Sequence, residues 1–418
     1  MKKSIFVFLA CLGSTSLGHA QTKAIINARA ITVTDNEVIE AATIIIRDGE
    51  IEAIGAGIIA PDDAEIIDAG GRYVSPGFMN GATQLGLTEV NSISGTVDHS
   101  ASGGDLGVTF DVSYALNSNS SLITLARTDG LVRALTIPGG GVAAPFDGMG
   151  AAITLRQSDD ILERRCLAVF AKVGGASSSA VGGSRAAQWQ NLRMALDEAA
   201  SNEKEDATPE NECSNPLKKV LSGERPLAIH ASRESDIRQS VKLVDDYGIR
   251  VNIIGGAEAW RVADEIAQRN IGVVLDAYGG QPNTFDEFGA RSDNAAILAA
   301  AGVKIAFMAT SIHYSHDAGS GIRDAAGFAA AFGLSWENAI RALTINPSEI
   351  WGLEDQYGMI TPGQSADLVI WSGDPIEPMS MAERMWIEGE EVSLTSRQDL
   401  LTRRYFPKNE ILSPAYRR

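Results

Sequence analysis

Histidine is scarce in this chain, and one histidine sits where a strand would deliver it to a reacting group. His230 lies near the end of the apolar run Leu227-Ala228-Ile229-His230-Ala231. A single imidazole there can act as a general base or a metal ligand, or simply hydrogen-bond to a neighbour. Apart from His19 near the start, the other histidines are His99, His313 and His316. The spacing His313-x-x-His316, followed by Asp317, makes a second metal-capable cluster if it converges with His230; otherwise it is a polar loop. Asp276, Asp286 and Glu287 follow another apolar run and are candidates to orient His230. Ser311 near His313 suggests a nucleophile beside a base, but no Gly-x-Ser-x-Gly elbow surrounds it. Pro138-Gly139-Gly140-Gly141 offers backbone N–H groups to an anion, or a flexible turn. Arg185 and Arg233 sit just past strand-like runs, where a guanidinium can pair with a substrate carboxylate or with the chain's own acids.

The elements that must position these groups fall into two patterns. Residues 24–33 are apolar and β-prone. Residues 43–55 read as a hairpin, with Ile44-Ile45-Ile46 before the turn pair Asp48-Gly49 and Ile51, Ala53 and Ile54 after it. From Tyr73 onward, short apolar runs alternate with helical ones, which predicts βα units on a parallel sheet. The runs are 73–79, 131–137, 151–155, 167–173, 226–231, 250–254, 271–276 and 303–308. Helices are expected at 186–200, 234–247, 258–269, 294–301, 321–332 and 335–344. The polar stretch 201–216 reads as a surface loop. A β pattern returns at 367–371 and 385–392, with Glu388-Gly389 as a turn. The expected fold is α/β: a (β/α)8 TIM-like barrel at 73–350, plus a small β-sandwich domain built from both chain ends, 21–72 and 351–418.

The opening residues look like an export signal. Lys2 and Lys3 precede a short apolar run, and Gly18-His19-Ala20 offers small residues at the positions a signal peptidase reads. Residues 1–20 are therefore expected to be removed, leaving a periplasmic or secreted protein with no membrane attachment. Cys166 and Cys213 remain, and an oxidising compartment permits a bond between them; the sequence leaves the pairing open because it does not fix their separation. The formal net charge of −18, without a Lys/Arg cluster, excludes nucleic acid as a natural partner.

Two segments resemble a known family. Pro76-Gly77-Phe78-Met79-Asn80-Gly81-Ala82-Thr83-Gln84-Leu85 is similar to the amidohydrolase superfamily segment at the end of the first barrel strand. There the pattern runs Pro-Gly-Phe/Leu-Ile/Val-Asp, then one residue, then His-x-His-Leu. Asn346-Pro347, Gly352-Leu353, Gly358, Ile360, Pro362-Gly363 and Ala366-Asp367-Leu368 look like its closing segment. The upstream hairpin, with Asp68 and Gly71, matches as well, and the imidazolonepropionase-like branch is the most similar. The resemblance implies one or two divalent metals at the C-terminal ends of the strands, a metal-bound hydroxide and a proton-shuttling Asp.

Most of the implied ligands are missing. The two strand-one histidine positions read Ala82 and Gln84, the strand-six position falls near Gly255, and the strand-eight aspartate position falls near Thr310. The strand-five histidine is present as His230, and Lys172 is the candidate for a strand-four lysine that some members carboxylate. A catalytic zinc site needs about three protein ligands. No cofactor is therefore expected, and Zn²⁺ enters only if a relocated site exists. The expected function is an exported amidohydrolase-family protein, a C–N bond hydrolase by resemblance, with a degenerate metal site: a pseudoenzyme reading. Its ligand is a small amide, imide or peptide-like molecule. The alternative is a non-catalytic partner of an active amidohydrolase subunit, and an oligomer is expected. His230 is the catalytic candidate, and Gln84, Arg233, Thr310, His313 and His316 are the candidate pocket residues.

Overall fold

The computed structural model describes residues 22–34, 38–101, 106–140, 145–201, 212–276, 280–309 and 313–406, the side chains of residues 176, 313 and 314 aside. The expected leader, residues 1–20, lies outside the described residues. So do Gly141, most of the polar stretch 201–216, Thr310 and Ser311. Among the described residues no helix is long and apolar enough to cross a membrane.

The chain opens with β1 (Lys23–Ile31), β2 (Val38–Arg47), β3 (Glu50–Ala56), β4 (Glu65–Asp68) and β5 (Tyr73–Pro76). The barrel strands follow: β6 (Phe78–Thr83), β7 (Leu131–Thr136), β8 (Phe146–Thr154), β9 (Leu162–Lys172), β10 (Leu227–Ala231), β11 (Val251–Gly255), β12 (Gly272–Asp276) and β13 (Ile305–Met308). Last come β14 (Leu368–Trp371), β15 (Ala382–Ile387) and β16 (Glu390–Glu391). Both chain ends build one sheet in the order β16-β15-β14-β5-β1-β2-β3, with β4 added beside β1. Alternating residues such as Ile25, Ile44, Ile46, Leu368, Ile370 and Trp386 form its buried core.

Two tight turns organise that sheet. Asp48 and Gly49 take φ of 55° and 83°, and Glu388 and Gly389 take 53° and 74°. Positive φ at both central residues defines the two-residue hairpin turn that matches strand twist. The turns touch: a Cβ on Gly49 would fall 2.8 Å from the Glu388 carbonyl oxygen, so no side chain fits there. Lys23 Nζ donates to the Gly389 carbonyl at 2.7 Å.

The second sheet holds eight strands in the order β13-β12-β11-β10-β9-β8-β7-β6, and β13 returns beside β6 to leave a nearly closed barrel. The apolar run expected at 73–79 splits at Gly77, where the chain passes from the terminal sheet to the barrel. A Cβ there would lie 2.2 Å from Val132. Inside the barrel Met79, Leu135, Phe170, Ala228, Val274 and Met308 pack together. The helix Ile345–Trp351 plugs the N-terminal end: Asn252 Nδ2 donates to the Ile350 carbonyl at 2.9 Å.

One expectation needs correction. The third barrel strand is not parallel. β8 runs antiparallel to both β7 and β9, whereas β6 is parallel to β7, and β9 through β13 are parallel to one another. A parallel neighbour needs a crossover of about a dozen residues or more. The chain between Thr154 and Leu162 is too short for one, and its Ser158 and Asp160 side chains fold it into a turn. In place of a crossover helix, residues 107–115 from the β6–β7 connection pack against β8, with Met149 N–H donating to the Phe110 carbonyl at 2.7 Å.

Two covalent or ionic ties hold the assembly. Cys166 of β9 and Cys213 form a disulfide, with Cα atoms 5.6 Å apart. Arg133 of β7 is fully buried and paired with Glu163, Asp367 and Glu388, joining barrel to terminal sheet.

Candidate functional site at the barrel mouth

The C-terminal ends of the parallel strands surround a cavity of about 380 Å³. Its chemistry comes from Gln84, His99, Asp147, Lys172 and His230, with the Ile137–Gly140 backbone along one side. Each group arrives by simple strand geometry. Side chains alternate across β10, so Ala228 and His230 face the barrel interior while Leu227 and Ile229 face the surrounding helices. Lys172 and His230 are direct cross-strand partners, and so are His230 and Ile254. Parallel partners share a face, so an ammonium stands on one side of the imidazole and an aliphatic chain on the other. Asp147 reaches the same mouth because β8 is reversed: the start of that strand lies where the other strands end.

His230 is held neutral. Burial in the barrel, together with repulsion from Lys172, lowers its pKa to about 3. The sign follows directly. The folded value lies below that of an unfolded histidine, so the stability linked to this group is present above about pH 6.5 and is lost as pH falls toward 3. The ring is partly open to the cavity, which reduces the effect to roughly 2 kcal/mol. Replacing His230 with glutamine should flatten the acid limb of the stability curve in that window, measured by denaturant titration at several pH values. An unchanged acid limb would rule out a histidine buried in its neutral form.

His99 comes from the long β6–β7 connection and packs with Gln84 against the glycine strip. A Cβ on Gly139 would come within 2.4 Å of Gln84 Nε2 and 2.5 Å of His99 Nδ1, so any larger residue would displace both side chains. The Gly139 N–H donates to the His99 carbonyl at 2.9 Å. Burial lowers the His99 pKa, which favours its neutral form too. Its Nδ1 is buried without a hydrogen-bond partner among the described residues.

With this geometry in view, comparison with other proteins is informative. The amidohydrolase family model matches residues 263–392. A crystal structure of an amidohydrolase from Thermotoga maritima superposes with a TM-score of 0.78 at 26% identity, covering 88% of this chain and 99% of that one. Residues 263–392 thus look like part of an amidohydrolase, and the fold as a whole is similar to one. Two more distant structures share the fold. Phenylurea hydrolase B has a TM-score of 0.57 at 16% identity, covering 90% of this chain and 97% of that one. N-isopropylammelide isopropylaminohydrolase from Burkholderia multivorans has 0.51 at 15%, covering 89% and 98%. No curated protein matches the sequence.

Among the described residues, the positions that correspond to the family's metal ligands offer few donors at this mouth. Ala82 is fully buried with a methyl side chain, and Gln84 presents an amide. Gly255 pairs with Ala231 and Leu275, and the residue beside His230 is Ile254. Among the described residues, only Asp111, Cys166 and Cys213 bring three ligand atoms of His, Cys, Asp or Glu within 4.8 Å of one another. The two sulfurs there are bonded to each other, so neither is a thiolate.

The remaining candidates lie elsewhere. Thr310 falls outside the described residues. His313 and His316 bound a short helix after β13; His316 is half-buried and does not line the cavity. Arg233 is exposed just before the helix Glu234–Tyr247 and does not line it either. Arg185 is tied to Asp286 and Asp236, and Asp286 also accepts from the Gly175 N–H at 2.6 Å. Asp276 ends β12 two residues beyond the His230 level, which is that of Val274.

His99 and Asp147 are the groups that sequence reasoning did not place. His99 sits in a Ser/Gly/Asn-rich connection with no periodicity to orient it. Asp147 would have been found had the polar turn at 158–160 been read as a hairpin.

Proposed function

We propose that this chain is an exported amidohydrolase-family protein that binds a small amide-like molecule at the barrel mouth without the family's metal-hydroxide chemistry. One observation carries the reading: the surviving ligand, His230, is flanked in register by the Lys172 ammonium and by Ile254. A Lys172 that is not carboxylated opposes a divalent ion there, and an aliphatic chain supplies no donor. The Cys166–Cys213 bond supports export, because such bonds persist in oxidising compartments.

The neutral imidazoles of His230 and His99, the Gln84 amide and the Asp147 carboxyl suit an amide, whose N–H donates and whose carbonyl accepts. His230 is placed to exchange a proton with such a ligand, but a pKa near 3 makes it a weak base.

Elemental analysis of the purified mature chain is expected to find no near-stoichiometric Zn, Fe or Mn. Chelation should leave the melting temperature unchanged. An ion held at a hundred times its Kd would contribute about 2.7 kcal/mol, enough to shift the midpoint by degrees on removal. A stoichiometric metal released by His230→Ala would overturn the proposal.

A further inference from the structure

We infer that the ligand of this mouth carries a carboxylate, and that Lys172 binds it. The inference rests on the reading above and names the class of molecule more narrowly: a small amide bearing an acid, such as an N-acyl amino acid.

The argument starts from charge. The chain is strongly acidic, and several partly buried cations elsewhere are matched: Arg133, Arg165 and Arg185 by the carboxylates of Glu163, Asp111 and Asp236, and Arg127 and Arg323 by backbone carbonyls. Lys172 is different. It is half-buried and lines the cavity, and among the described residues its ammonium makes no salt bridge and no hydrogen bond. Asp147 lines the same cavity but forms no salt bridge with Lys172, and holding an ammonium partly out of water without an ion pair is unfavourable. In a cavity with an open entrance, an incoming anion is the natural compensation.

The surroundings agree with an anion rather than a second cation. The partner across the strand is a neutral imidazole, so it adds no competing positive charge. The same cavity is lined by the Gln84 amide, a hydrogen donor, and the Pro138–Gly140 backbone. A Cβ on Gly139 would crowd the ends of the Gln84 and His99 side chains, and Gly140 takes φ of 64°, so this strip presents backbone and no bulk to the ligand. The buried His99 Nδ1 is a further polar atom for a ligand to meet. Asp147 stands at the start of β8, where it suits the ligand's amide N–H. A cavity of about 380 Å³ is sized for a molecule of this kind.

The test compares N-acetyl-L-alanine with its neutral amide, N-acetyl-L-alaninamide, by isothermal titration on the purified full mature chain at low salt. The acid should bind at least tenfold more tightly, about 1.4 kcal/mol. Lys172→Met should abolish that preference, and Lys172→Arg should keep most of it; melting curves check that both variants fold. Equal binding of acid and amide, a preference that survives in Lys172→Met, or no binding of either probe at millimolar concentration would each overturn the inference. The two readings fail separately. A metal-loaded protein that still prefers the acid sinks the metal-free proposal alone, and a metal-free protein indifferent to the acid sinks only this one.

Discussion

Arg133→Met should lower the unfolding free energy by about 3–5 kcal/mol, the range for breaking a buried ion pair from one side. Arg133 lies on β7 with a fully buried side chain. Its Nε sits 2.8 Å from Glu163, its Nη2 3.1 Å from Glu388, and its Nη1 is paired with Asp367. The guanidinium also stacks over the Tyr357 ring at 3.6 Å, and the Tyr357 hydroxyl donates to Glu163. Burial pushes the Tyr357 pKa up to about 12, so it stays a donor. Asp367 further accepts from the Glu388 N–H at 2.8 Å, so one cation holds together β7, β9 and the approach to β14 and β16. Methionine fills much of the volume but leaves two buried carboxylates facing each other. Glu388→Gln, at the exposed rim of the network, should cost under about 1 kcal/mol. Equal losses for the two variants in urea titrations would refute the central role of Arg133.

Reducing the Cys166–Cys213 bond should cost about 4 kcal/mol, from the chain-entropy estimate for a closed loop of this length. The bond spans a sequence separation of 47 and ties β9 to the segment after the polar stretch. Cys166 is fully buried and Cys213 half-buried, so reductant must reach the Cys213 sulfur after a local opening. Reduction should therefore be slow in native buffer and fast in mild denaturant. Cys213→Ser should lower the melting temperature by several degrees and speed hydrogen exchange in the helix Pro216–Leu221. Binding at the mouth should be unaffected, because the bond lies away from the cavity residues. A Cys213→Ser protein that melts like the parent would show that the loop is constrained without the bond.

What could be read from the sequence follows from how local each signal is. Asp48-Gly49 and Glu388-Gly389 were readable because a two-residue turn is decided by its own backbone preferences. The barrel strands were readable as apolar runs, and the helix Glu234–Tyr247 by its periodicity and its Gly248 stop, with φ of 68°. The direction of β8 was not, because an apolar run looks the same in either direction; only the short, polar 155–161 connection carries that information. His230 could be named because it lies near the end of a strand, and Gln84 and Lys172 through the resemblance of their segments to a known family. Whether Arg233, two residues past β10, turns inward or outward depends on the helix that follows, and it turns out to solvent. The cysteine pairing required a distance, which composition does not contain.

The reversed strand also changes how this barrel would be re-engineered. A plan to graft a missing metal ligand onto the third strand by copying a parallel relative would aim near Leu155, at that strand's C-terminal end. In this chain that end opens on the opposite rim, beside the Arg127 guanidinium that donates to the Leu155 carbonyl, so the new donor would never meet a substrate. The productive attachment point is the pair Phe146-Asp147, at the strand's beginning. Any transplant of catalytic parts into this scaffold must therefore be written backwards along one stave of the cask.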